Sequence, residues 1–421
     1  MTLEELHRLA DPEFQAFIYL HRDDDPVAFA MQFHDRKELP VRAIAEQLAC
    51  RRKAVKKLPK LSYGNMLYST LALEQASGEC TAAYKASFMS GQRIIDMSGG
   101  LGVDTMFFAR IFKQVIYCER DEVLCALMAH NLEMNGLSNV EIVHAESPGY
   151  LASCPDDYFD WIYVDPSRRE QGRRSIGLQA SSPDVVACHD LLLRKARRVC
   201  IKASPALELS ALHLQLPSLS SMIVVSVDLE CREILLLLDR ERKSDSPIAV
   251  RAACLKSGSE EKTEIDGDGE VPKIVADSLK ACFYEPDPAI IKAKLTPRLA
   301  RVSGLEFVNK RVDYLTGDRM IRSFPGKMFR IVESVPYKPK SFLAFIEKHR
   351  LDVTGASVQR RDFPLSPDEI RRKYRLKENE RAFLFFTKDS SGGFFCIYGI
   401  RCFPSGGEVP SGQGQNEAPG C

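Results

Sequence analysis

Up to about residue 85 the apolar residues recur at mixed three- and four-residue spacing, as in Leu3, Leu6, Phe14, Phe17 and Ile18, and strand-like runs are few. That period predicts helices with one buried face, so residues 1–85 are expected to form a helical N-terminal lobe. From Arg93 the pattern changes: RIIDMS, VDTMFFARIF and QVIYCE are followed by a helical stretch from Asp121 to Asn135. VEIVHAE, FDWIYVD and RRVCIKAS continue the series, each leading into turn or helix signals. Short β-rich runs alternating with helices mark βαβ units and a parallel sheet. SMIVVSVDL and EILLLLDRE lie only a few residues apart and predict an antiparallel hairpin that closes the sheet. Seven strands are thus available by about Glu241, and the expected class for residues 86–256 is α/β.

Residues 257–280 include SGSEEKTEIDGDGEVP, polar, acidic and Gly-rich, and are expected to be a linker. Residues 281–403 mix helical and strand patterns and carry many basic side chains, among them Lys292, Lys294, Arg298, Lys310, Arg311, Arg360 and Arg361. This is the pattern of a smaller α+β domain. Residues 404–421 lack apolar side chains that would offset ordering entropy, and are expected to be a disordered tail.

Composition narrows the classes. Hydrophobic residues at 45% and charged residues at 27% exclude disordered, collagen-like and membrane-spanning chains. A net charge of +1 gives no global attraction to nucleic acid, so polyanion binding would have to be local. The one basic run in the N-terminal lobe, RRKAVKKLPK from Arg51 to Lys60, reads as a solvated helix face, with RNA contact the alternative. Thirteen scattered cysteines without a C-x-x-C pair read as reduced core thiols rather than a disulfide or zinc framework. The start MTLEELHRLADPEF has no basic-then-apolar leader, and the longest apolar runs are too short to span a bilayer. The expected location is the cytoplasm, with no membrane partner. His144 and His189 show no metal-ligand spacing, and no metal is expected.

Between the first strand and the following helix stands Asp96-Met-Ser-Gly-Gly-Leu-Gly-Val-Asp104. Glycines in such a turn let a ligand approach the backbone. A dinucleotide fingerprint would begin with glycine; an acid in that place suits a cofactor with an α-amino group, such as methionine, better than a pyrophosphate. Seventeen residues beyond Gly102 the strand VIYC ends in Glu119, near the spacing at which a carboxylate reaches ribose hydroxyls. Glu146, after VEIVHA, stands at the next strand end, where it could accept from an adenine amino group. Taken singly, the turn reads as a structural loop and Glu119 as a helix start favoured by the dipole. In this order and at successive strand ends they read as one cofactor site.

The strand FDWIYV runs into Asp165-Pro166-Ser167-Arg168-Arg169, at the end of the sheet where α/β proteins hold ligands. Methyl transfer asks mainly for alignment, and a D-P turn suits positioning: proline fixes the loop and the carboxylate accepts from a substrate amine. Arg168, Arg169, Arg173 and Arg174, joined by Lys202, form the densest basic group beside this loop and suit an anionic backbone. The alternative is ordinary ion pairing with Asp156, Asp157 or Asp184.

This order of motifs resembles the class I S-adenosylmethionine-dependent methyltransferases over residues 86–241. By resemblance Asp96, Ser98, Gly99, Gly100, Gly102 and Asp104 make the cofactor loop, Glu119 holds the ribose, Glu146 lies near the adenine, and Asp165 opens the reaction loop. More narrowly, EQASGECTAAYKA, DPSRREQGRR and YEPDPAIIKAKL are similar to a bacterial methyltransferase family with a THUMP-like C-terminal domain. The resemblance implies a Rossmann-like seven-stranded methyltransferase sheet at 86–256, a helical lobe before it and a THUMP-like substrate-binding domain at 281–403. It implies S-adenosylmethionine as cofactor and RNA, tRNA or rRNA, as partner.

Amino-methylating enzymes of nucleic acids show D-P-P and an aromatic; here Ser167 and Arg168 stand in those places. An arginine plane stacks on a base and pairs with phosphate, so Arg168 is expected to clamp substrate while Asp165 orients a base nitrogen. Uridine C5 enzymes need a cysteine shortly before a proline on a later strand. Val199-Cys-Ile-Lys-Ala-Ser-Pro205 has Ala203 at that point, and Cys200 is read as core. The alternatives to RNA methylation are a protein or small-molecule substrate, or an inactive cofactor-binding RNA-binding protein.

Overall fold

The computed structural model describes residues 1–63, 65–168, 178–243, 245–267 and 271–403. Contacts divide the chain into two units, Met1–Asp268 and Gly269–Cys421.

The first unit opens with α1 (Leu3–Ala10), α2 (Pro12–Leu20), α3 (Pro26–Gln32), α4 (Val41–Lys57), α5 (Thr70–Gln75) and α6 (Glu79–Phe88). Their starts follow from local chemistry. Thr2 and Glu5 form a capping box on α1, and Asp11 and Asp25 cap α2 and α3 just ahead of a proline in the first turn. The sheet elements come next: β1 (Arg93–Asp96), α7 (Val103–Phe108), β2 (Gln114–Glu119), α8 (Glu122–Met134), β3 (Val140–His144), α9 (Ser147–Ser153) and β4 (Phe159–Val164). A short ribbon of β5 (Ser167–Arg168) and β6 (Ser181–Ser182) precedes α10 (His189–Lys195), β7 (Ala196–Ala203), α11 (Leu212–Gln215), β8 (Leu219–Val227), β9 (Glu230–Asp239), β10 (Ala249–Leu255) and β11 (Lys262–Gly267).

The strand order is β11-β10-β8-β9-β7-β4-β1-β2-β3. β3, β2, β1, β4 and β7 are mutually parallel, and β9 runs antiparallel between β7 and β8. From β1 the chain winds outward to β3, then returns to β4 on the other side. The strand order therefore reverses at β1 and β4, which opens a crevice beyond their carboxyl ends. Ile94, Ile95, Val115, Ile162, Val199 and Leu235 are buried along these strands, as expected of strands covered on both faces.

The sequence predicts seven strands and a linker from 257; the sheet instead has nine, and Lys262–Gly267 is paired with β10. This edge strand faces water, so its composition reads as loop, and Arg251 holds it by reaching Asp266 (2.6 and 3.0 Å) and Glu264 (3.2 Å). The boundary between units falls at Asp268, inside the expected linker. Nor do the N-terminal helices have a core of their own. Leu6, Ile44, Leu48 and Leu67 lie in one cluster with Ile94, Met106 and Met128, and the buried Asn131 of α8 clasps both backbone groups of Leu67 (2.9 and 3.0 Å).

The second unit has seven strands, β12 (Cys282–Pro286), β13 (Glu306–Phe307), β14 (Leu315–Gly317), β15 (Gly326–Pro336), β16 (Ser357–Arg360), β17 (Ala382–Lys388) and β18 (Phe394–Cys402). Their order is β13-β14-β12-β15-β18-β17-β16, antiparallel except for β16 with β17. Its helices are α12 (Pro288–Lys292), α13 (Thr296–Ser303), α14 (Pro339–Lys348), α15 (Leu351–Thr354) and α16 (Pro367–Tyr374). Phe283, Tyr314, Phe329 and Phe385 pack as an aromatic core, with Phe283 and Phe385 centroids 4.5 Å apart. The expected tail 404–421 lies outside the described residues.

Candidate active site

Each loop at the carboxyl ends of β1, β2 and β4 is shaped by its own acid. Asp96 ends β1, and its carboxylate organises the turn after it. Oδ1 accepts from the backbone N–H and the hydroxyl of Ser98 (both 3.0 Å), and Oδ2 accepts from the Thr105 hydroxyl (2.7 Å). Burial pushes this carboxyl up to about 7, against the lowering effect of the three bonds. Gly102 has φ 77°, a left-handed conformation natural to glycine. Gly99 lies against β2: a Cβ there would stand 2.7 Å from Tyr117 Cζ and 2.8 Å from Glu119 Cβ. The loop is therefore pressed onto the neighbouring strand, and Tyr117 donates to Gly100 O (2.6 Å).

Glu119 ends β2 and ties the two loops together. One oxygen accepts from Gly100 N–H (2.9 Å), the other from the N–H groups of Arg120 (2.8 Å) and Asp121 (3.0 Å). A carboxylate has about four acceptor positions, so capacity remains for a ligand hydroxyl. Glu146, the residue before α9, is exposed and stands 3.7 Å from Arg120.

At the end of β4 the N–H of Asp165 donates to Ser98 Oγ (2.7 Å), so the first loop and the reaction loop share one hydroxyl. Asp165 Oδ2 accepts from Lys202 Nζ at 2.5 Å. Lys202, at the end of β7, is mostly buried; burial lowers its pKa, but the Asp165 charge outweighs that and leaves it raised, an ammonium at neutral pH. The Arg168 side chain and Arg169, Arg173 and Arg174 lie outside the described residues. Asp156 and Asp157, weighed above as their partners, pair with Lys195 (2.7 Å) and Arg240 (2.5 Å), and Asp184 accepts from the N–H groups of Val186 and Ala187.

One cavity of about 750 Å³ gathers these groups: Asp96, Ser98, Gly99, Gly100, Gly102, Asp104, Glu119, Glu146, Asp165 and Lys202 all line it. It also takes in residues that motif reading missed, Leu71, Gln75 and Ser77 from around α5 and Asp121 ahead of α8. The only signal for Gln75 and Ser77 was the EQASGECTAAYKA segment, which had no assigned role, and Leu71 had none. Asp104 faces the cavity from α7, its Oδ2 accepting from the hydroxyls of Ser77 and Tyr163 and its Oδ1 lying 3.1 Å from Lys85 Nζ. Cys200, with no exposed surface, is core, and burial holds its thiol well above the ordinary range. His144 is exposed on the Arg120 carbonyl and His189 sits beside Asp190. Among the described residues no group of side chains is arranged to hold a metal ion, no cysteines are bridged, and no helix is long and apolar enough to cross a membrane.

The cavity's volume is that of a ligand pocket. Its chemistry fits an adenosyl amino acid: glycine backbone pressed to one side, a carboxylate with spare acceptor capacity at the β2 end, and an acid at the β3 end. A seven-strand run with the sixth position antiparallel and a switch-point crevice is the architecture of a class I S-adenosylmethionine-dependent methyltransferase. Comparisons with known proteins agree. The THUMP domain-like family matches residues 326–397. Uncharacterized S-adenosylmethionine-dependent methyltransferases from two strains of Mycobacterium tuberculosis are 24% identical over 370 residues, 86% of this chain and 97% of theirs. The crystal structure of a putative methyltransferase from Porphyromonas gingivalis superposes with a TM-score of 0.77 at 25% identity, covering 92% of this chain and 97% of that one. The chain is a class I methyltransferase that uses S-adenosylmethionine and carries a THUMP-like domain towards its C-terminus.

Proposed function

We propose that this enzyme methylates RNA, tRNA or rRNA, at a base nitrogen. The observation that carries the reading is the shared Ser98 hydroxyl, which joins the reaction loop at Asp165 to the donor loop at Asp96 within one cavity. The donor-site roles are assigned as follows. Glu119 takes the ribose hydroxyls, Glu146 the adenine edge, and the 96–104 turn, with Asp96, Ser98, Gly99, Gly100, Gly102 and Asp104, the amino-acid end. Bound there, S-adenosylmethionine supplies an electrophilic methyl group. Asp165 accepts a hydrogen bond from the target amino group and aims its lone pair, while Lys202 holds the other carboxylate oxygen and so fixes the loop. Arg168 clamps the base, and Arg169, Arg173 and Arg174 supply the cations for the backbone, whereas Lys202, expected among them, is spent on Asp165 instead.

Support for RNA comes from the THUMP-like match and from the cations of the second unit. Lys292, Lys294 and Arg298, around α12 and α13, have no acidic partner among the described residues, and the two lysines lie in the YEPDPAIIKAKL stretch singled out above. The test is to delete the gene, compare modified nucleosides in total RNA by mass spectrometry, and methylate the deletion strain's RNA with pure enzyme and labelled donor. One missing methylated nucleoside, restored in vitro, is expected. An unchanged nucleoside profile with label entering protein or small molecules instead would replace the RNA reading.

A further inference from the structure

Asp104, placed above among the donor-turn residues, is itself held by buried charged groups behind the donor cavity that have no role in the reaction. Lys85 of α6 has no exposed surface, and Glu233 of β9 and Asp104 of α7 are buried with it. Lys85 Nζ donates to both Glu233 oxygens (2.9 and 3.1 Å) and to Ser77 Oγ (3.1 Å), and stands 3.1 Å from Asp104 Oδ1. Ser77 in turn donates to Asp104 Oδ2 (2.7 Å), which also accepts from the Tyr163 hydroxyl (2.8 Å). Burial alone would lower the lysine's pKa; its two carboxylate neighbours reverse that, and burial of Asp104 is likewise outweighed by Lys85.

Taking three charges out of water costs several kcal/mol per ion, and well-packed apolar replacements of such clusters are often neutral or stabilising. Fold stability is therefore a poor account of this one. What it does fix is geometry: Ser77 and Asp104 both line the donor cavity, one from the segment before α6 and one from the helix after the glycine loop. The other end of that wall is also held by a lysine. Lys57 Nζ donates to the carbonyls of Leu73 (2.7 Å) and Glu74 (2.9 Å), the last turn of α5. The segment between them, Gln75 to Ser77, faces the cavity.

We infer that the Gln75–Ser77 segment is a working wall of the donor site and that Lys85 is its positioning residue. The N-terminal helices thus complete the donor cavity. This rests on the donor reading of that cavity.

The test is calorimetric binding of S-adenosylmethionine and of S-adenosylhomocysteine to the full-length chain, with thermal midpoints measured beside it. Ser77→Ala and the paired variant Lys85→Met with Glu233→Gln are expected to weaken both ligands by about tenfold or more, the scale of one well-placed hydrogen bond. The Ser77→Ala midpoint should stay within a few degrees of the wild type, that of the paired variant should fall because Asp104 loses its cation, and Ser77→Thr, which keeps the hydroxyl, should restore affinity. Folded variants that bind as the wild type does would overturn the inference. Should the paired variant not fold, Ser77→Ala decides, since it leaves every charge in place. A wild-type chain that binds neither ligand would instead sink the donor reading itself.

Discussion

At Asp96 one carboxylate both shapes a loop and carries a titratable charge in a buried place. Its folded pKa is pushed to about 7 from an ordinary 3.8, so between those values the native chain holds a proton that the unfolded chain has released. Fewer protons in the unfolded state mean that stability falls as pH rises through this window and levels off above about 7. Asp96→Asn removes that slope. Urea midpoints of wild type and variant, taken from pH 5 to 8, should therefore shift in the variant's favour as pH rises; parallel curves would contradict the assignment. Asp165 carries the second prediction at this scale. Asp165→Ala removes the group that orients the acceptor, so turnover on RNA from a deletion strain should fall on the order of a hundredfold while donor affinity changes little. An alanine variant with full turnover would rule the role out. These residues were legible because each is an acid at the end of a short apolar run, the pattern of a strand buried on both faces. Ser77 and Lys85 were not: their neighbours Asp104 and Glu233 lie 27 and 148 positions away, and nothing local announces such a pairing.

Elements tell a similar story through pairing. The hairpin of β8 and β9 was readable because two apolar runs flank a tight turn, whereas β11 was hidden by its exposure: a strand bonded on one edge and wet on both faces needs few apolar residues. The basic run from Arg51 to Lys60 also changes meaning once folded. Rather than a bare solvated face, it binds its neighbours: Arg51 donates to Gln15 (2.8 Å), Arg52 to the carbonyls of Asp23 and Asp24, and Lys53 to Glu74 (2.8 Å). Helices and sheet are joined at Asn131, whose side chain satisfies the buried N–H and C=O of Leu67. Asn131→Ala would leave both without a partner, and each such group costs about 1–3 kcal/mol. The expected loss is about 2–4 kcal/mol by urea denaturation, and a variant as stable as the wild type would mean that the N-terminal helices are held elsewhere.

For the molecule as a whole, the decisive quantity is where its charge lies, because the net value of +1 supplies no general pull on RNA. Many basic side chains of the second unit are already committed: Arg361 to Glu285 (3.0 Å), Lys388 to Asp362 (3.1 Å), Lys280 to Glu306 (2.7 Å). A cation held by a neighbouring carboxylate gains little from phosphate, since the pair must open first. Lys292, Lys294 and Arg298 carry no such debt among the described residues, and they are expected to be the cations that meet the backbone. Each phosphate contact made on single-stranded RNA releases counterions and contributes a slope of about −0.7 to the plot of log affinity against log salt. Changing all three to glutamine should therefore flatten that plot by about 2 in filter binding with bulk RNA, and weaken binding alike across RNA sequences. The same change leaves the donor cavity untouched, so calorimetric donor affinity should hold. If the slope is unaltered while binding persists, the phosphate contacts belong to the arginines that follow Asp165, and neutralising Arg169, Arg173 and Arg174 in place of these three should produce the flattening instead.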